Sequence, residues 1–199
     1  NDDIESGAAL ARKVIETKTE DPMCLALSGF VLVMSQADVQ LGILTVRRAL
    51  QRQTSNGLVH VCASAAFVFG NENENETLRA DSIKTIEKAI SLSPKDPMRF
   101  ALYLVGALAY MEAGDLDKAL EYADKSLGLN PGWDTSLQAM ITIQVESGNI
   151  EGATEYYKSL FAVDKDSSVS KFEKNFNISN QFIKSKMIEG LKAVGVPNY

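Results

Sequence analysis

A self-similarity with a period of 34 residues constrains this chain more than any other feature. Asp115, Leu116, Ala119, Glu121, Tyr122, Leu129 and Asn130 return as Asn149, Ile150, Ala153, Glu155, Tyr156, Val163 and Asp164, and Gly114 is answered by Gly148. Such a period, with Gly closing one helical segment and Ala at the centre of the next, specifies a helical hairpin that cannot bury its apolar face alone. Hairpins of this kind must stack. The expected fold class is therefore all-α, a solenoid, with function carried by a stacked surface.

The pattern organises the whole chain as a single domain, 1–199. After Asp96-Pro97, Phe100, Tyr103, Leu104, Ala107, Leu108 and Met111 keep helical spacing, and a second helix carries Leu116, Ala119, Leu120, Ala123 and Leu127 to Asn130-Pro131. Gly106-Ala107 and Ala119 are small enough for the two backbones to approach closely. The closest copy runs from Trp133 to Val163, with Trp133 expected to plug the junction between repeats. At an offset of 37, Ala89, Ile90, Leu92 and Pro94 match Ser126, Leu127, Leu129 and Pro131, which predicts a second helix over Ser82 to Leu92, preceded by a first helix over Leu58 to Phe69. Between them, residues 70–77 alternate Asn and Glu and read as a solvated, mobile insertion. Upstream, Pro22 to Met34 and Val39 to Leu50 form a degenerate hairpin crossing at Gly29 and Gly42. The boundaries that follow are an orphan helix over 1–20, repeats over 21–54, 55–95, 96–131 and 132–165, and capping helices over 166–199. The orphan predicts that the chain is part of a larger protein. The terminal stripe Ile183, Met187, Leu191 and Val194 is expected to pack on the last repeat, around Ile141, Val145 and Tyr157.

Charge and composition narrow the function. A net charge of −6 opposes a nucleic-acid partner, because that affinity depends on neutralising phosphates. Apolar runs such as Phe30 to Met34 and Ala65 to Phe69 are far too short to span a bilayer. His60 is the only histidine, and nearby Cys62 falls on a different helical face, so neither a metal site nor an acid–base–nucleophile set assembles. Cys24 and Cys62 read as buried thiols of a reducing, cytoplasmic compartment. No cofactor and no enzymatic activity are expected.

The run Tyr103, Gly106-Ala107, Tyr110, Gly114-Asp115, Ala119, Ala123, Leu127 and Asn130-Pro131 resembles the tetratricopeptide repeat. The resemblance implies a right-handed superhelix whose first helices line a concave groove for a peptide or a partner helix. Helical spacing places Phe30 and Val33, then His60, Ser64 and Phe67, then Leu104, Leu108 and Met111, then Gln138 and Thr142 in that groove, together with Ala26 and Val145. Members of the family that hold C-terminal carboxylates project Lys, Arg and Asn there, whereas these residues are mostly apolar and suit a helix with side chains at i, i+4 and i+7. The same spacing also fits residues that pack within the chain, against neighbouring helices or its own C-terminal helix. More narrowly, Ser93 to Phe100 and Ile188 to Pro197 resemble the C-terminal repeat region of bacterial class III adenylate/guanylate cyclases and of winged-helix transcriptional regulators. That implies a signalling protein whose effector domain, a cyclase core for instance, lies outside this chain. The expected partner is a protein, a peptide or another domain of the same protein. Two rivals are a sensory module holding a small ligand in the groove and a structural or homodimerising spacer.

Overall fold

The computed structural model describes residues 2–52 and 55–199, and every regular element in them is an α-helix. In chain order these are α1 Asp2–Glu16, α2 Pro22–Met34, α3 Val39–Arg52, α4 Gly57–Phe69, α5 Glu76–Leu92, α6 Arg99–Glu112, α7 Leu116–Leu129, α8 Asp134–Glu146, α9 Ile150–Val163, α10 Val169–Asn175 and α11 Gln181–Ala193. Helices α2, α4, α6 and α8 are the first helices of hairpins completed by α3, α5, α7 and α9. The chain forms two compact units, one holding α1–α5 with residues 178–180 and the other holding the remainder from Lys95 onward.

In the first unit, α2 and α3 cross at two glycines. A Cβ on Gly29 would lie 2.7 Å from the Gly42 carbonyl oxygen, and a Cβ on Gly42 would lie 2.7 Å from that of Gly29, so this hairpin closes only because neither residue has a side chain. Ala8 and Ala11 of α1 pack on Leu32 of α2. Leu25, Ala26, Ala49, Val59 and Cys62 form one cluster joining α2, α3 and α4. Ser64 then donates its hydroxyl to the Ser82 carbonyl at 3.1 Å, joining α4 to α5.

Residues 72–77 after α4 are exposed, as a solvated insertion would be, but the segment is shorter than expected and is tied down by its asparagines. Helix α5 begins at Glu76, six residues before the expected Ser82. The short loop before it is built on its asparagines: Asn71 is buried and accepts from the Asn75 N–H at 2.7 Å, and Asn75 accepts from the N–H groups of Thr77 and Leu78 as the N-cap of α5. The alternating glutamates Glu72, Glu74 and Glu76 face solvent. Composition alone read polarity as lack of structure, whereas Asn supplies the hydrogen bonds that a helix start needs.

In the second unit the 34-residue period appears as repeated turn geometry. Gly114 and Gly148 have φ of 77° and 79°. The N–H of Asp115 reaches the Tyr110 carbonyl and that of Gly114 the Met111 carbonyl, while Asn149 and Gly148 repeat the pair with Gln144 and Val145. This is the Schellman closure, which requires a left-handed residue and so favours Gly. Asp115 and Asn149 then cap the following helices through Lys118 and Gly152. Gly106 has a further role, since a Cβ there would come within 2.3 Å of the Tyr122 ring. Trp133 sits where two repeats meet, edge-on to Phe100 at 4.7 Å, and the Ser126 hydroxyl bridges the Phe100 carbonyl and Ser136.

Helix α11 packs chiefly on α8, with a smaller contact to α6. Ile183, Met187 and Leu191 are completely buried, Val194 is half-buried and Val196 takes the next buried position. The stripe thus covers the face of the two first helices.

Candidate functional site

Helices α2 and α4 are apolar almost all round, and His60 is the only ionisable residue in them apart from Cys24 and Cys62. Their packing leaves one arc of each uncovered. On α4, Gly57 and Ser64 face α5, and Val59 and Cys62 face the cluster shared with α2 and α3. At 100° per residue the remaining arc carries Leu58 and Val61, and further along Ala65, which is itself buried. On α2 the same argument leaves Met23, Leu27, Phe30 and Met34. Leu27, Met34 and Leu58 are 43%, 37% and 46% exposed, and Phe30 is half-buried against the shared cluster. An apolar first-helix face is therefore open in the first unit.

The equivalent face of the second unit is occupied by α11. Gln138 and Thr142 lie on α8, and Gly190 of α11 meets Thr142 so closely that a Cβ there would be 2.7 Å from the Thr142 Cα. Lys186 pairs with Glu146 at 3.1 Å at one end of the crossing, and that carboxylate holds the Lys186 ammonium above the ordinary lysine range. Leu104, Leu108 and Met111 of α6 are buried, as is Val33 of α2.

His60, Ser64 and Phe67 are brought to a different side. Ser64 is used by α5, while His60 and Phe67 form the floor of a cleft of about 670 Å³ between α3 and α5. Spacing along α4 was legible, but its rotation was not, because nearly every position is apolar and either arc gives a credible stripe. Leu58 and Val61 were missed for that reason.

The two thiols differ. Cys62 is buried and its pKa is pushed up to about 11 by burial, as expected. Cys24 is exposed, contrary to expectation, at the first turn of α2 beside its N-cap Asp21, which also raises the thiol pKa. An apolar helix with one open arc exposes whatever lies on it. Among the described residues, no three His, Cys, Asp or Glu side chains are gathered as metal ligands would be. No helix among them is long and apolar enough to cross a membrane.

Stacked helical hairpins with Schellman turns at a 34-residue interval define a tetratricopeptide-type solenoid fold. Residues 101–132 match the family model of the tetratricopeptide repeat. A search of curated proteins found no relative of this chain. Among solved structures, the chain is similar to a thermophilic tetratricopeptide-repeat protein of Thermus thermophilus, with a TM-score of 0.68 and 13% identity over 95% of this chain and 91% of that one. PilF of Pseudomonas aeruginosa gives a TM-score of 0.65 and 16% identity over 97% and 85%. MamA from Desulfovibrio magneticus RS-1 gives 0.62 and 15% over 83% and 97%. These likenesses establish the fold.

Proposed function

We propose that the chain is a non-catalytic interaction module that receives an amphipathic helix on the open face of α2 and α4. The helix would come from a partner protein or from another domain of the same polypeptide. The observation that carries this reading is α11, an amphipathic helix lying across the first helices of the second unit with Ile183, Met187 and Leu191 at i, i+4 and i+8. The first unit offers a face of the same origin and apolar character without such a cover. Folds of this type are commonly protein-interaction scaffolds, and a preformed rigid face lowers the ordering cost of binding. The setting that fits the resemblances at Ser93 to Phe100 and Ile188 to Pro197 is a cytoplasmic bacterial signalling or regulatory protein with its effector domain elsewhere in the chain.

Panning a display library of helical peptides against the protein tests the proposal. Selected binders are expected to carry an i, i+4, i+8 apolar stripe and to lose about tenfold or more in affinity when Leu27→Asp or Leu58→Asp is introduced, since a buried unpaired charge costs several kcal/mol. Binders indifferent to both variants would place the interaction elsewhere. Self-association abolished by the same variants would give the face to a second copy of the chain.

A further inference from the structure

We propose that the cleft between α3 and α5 is a binding site for a small amphipathic organic anion, a flat apolar body bearing one acid group. The site is separate from the helix-binding face, because His60 and Phe67 lie across α4 from Leu58, and the α5-facing Gly57 and Ser64 stand between them and Val61. Helices α3 and α5 each pack on α4, and the space left between them is a cavity of about 670 Å³. That lies within the roughly 300–1,000 Å³ of small-molecule sites and is too small for a folded partner.

The two ends of the cleft differ in chemistry. At one end Arg47 of α3 reaches Asp81 of α5 at 2.9 Å, tying the two walls together, and its guanidinium lies 5.7 Å from the Phe67 ring centroid. Charge there is already neutralised, and half-buried Leu50, beside the buried Phe67 ring, gives that end an apolar wall. The antiparallel packing of α4 and α5, with Ser64 bonded to Ser82 and Gly57 beside Ser93, sets His60 level with Lys88 at the other end. Lys84 and Lys88 stand one helical turn apart on that wall, and neither has an ion-pair partner among the described residues. Glu87 also lines the cleft and offsets part of this charge, so the site suits a single acid group rather than a polyanion. In a chain of net charge −6, two neighbouring lysines without an ion pair among the described residues, beside an apolar wall, give charge complementarity to an acid.

Naphthoate is a suitable probe, with naphthylmethanol as its neutral counterpart, each titrated into the isotope-labelled full chain and followed by heteronuclear NMR. Naphthoate is expected to give saturable shifts confined to α3, α4 and α5. The double variant Lys84→Gln with Lys88→Gln, both exposed positions, should weaken it about fivefold, as should removal of the acid group, in keeping with two solvent-exposed charge contacts. Leu27→Asp should leave it unchanged. Failure to saturate at millimolar probe, equal affinity for the alcohol, indifference to the double variant, or shifts centred on Leu27 and Leu58 would each overturn the proposal.

Discussion

Two hairpin pairs in this molecule present first-helix faces of similar character and resolve them differently. In the second unit the chain supplies its own cover: α11 buries Ile183, Met187 and Leu191 completely and meets α8 at Gly190. In the first unit the face of α2 and α4 keeps Leu27, Met34 and Leu58 substantially exposed. Residues 178–180 belong to that unit, and Asn180 donates to the carbonyls of Val68 and Phe69 at the end of α4. The difference separates two uses of one surface. Covered in cis, it is core; uncovered, it is the face on which we propose that a partner helix docks.

The comparison breaks most readily at α11. Leu191→Ala, at a fully buried site, should lower stability by about 2–5 kcal/mol, measured by urea unfolding, and hydrogen exchange should localise the loss to α6, α8 and α11. An unchanged midpoint would mean that α11 is an ornament on an already stable pair. Gly190→Ala should follow at about 1–3 kcal/mol, because its new methyl meets the Thr142 backbone, which cannot rotate away. Gly29→Ala in the first unit should cost a similar amount against Gly42, so the two units are alike in their need for close crossings even where their faces differ.

The sharpest contrast comes from changes expected to do little. Leu27→Asp and Leu58→Asp should move stability by less than about 0.5 kcal/mol while abolishing helix binding, whereas a charge placed at Met187 should unfold the second unit. Smaller still is the Lys186–Glu146 pair. Its raised lysine pKa means a contribution present at neutral pH and lost as pH rises through the lysine range, and Lys186→Met should cost under about 1 kcal/mol. Thiol labelling gives a last comparison: Cys24 should react well before Cys62, whose burial and pKa of about 11 both protect it until the first unit opens.

Much of the architecture was legible because it rests on short-range chemistry. The 34-residue register from Asp115 to Asn149, the turns at Gly114 and Gly148 and the crossing glycines Gly29 and Gly42 each follow from a local steric demand that only certain residues meet. The Asn71–Asn75 loop was equally local but was hidden by its composition, since alternation of Asn with Glu resembles a disordered tract unless the capping role of each Asn is considered. What only the tertiary structure decided was rotation and destination. Whether Leu58 or His60 faces outward on α4 depends on how α3 and α5 clasp an almost uniformly apolar helix, and whether α11, expected on Ile141 and Val145 of α8, leans toward Tyr157 of α9 or toward α6 depends on Gly190 finding Thr142. A hydrophobic stripe specifies that something must cover it; being non-directional, it does not specify what.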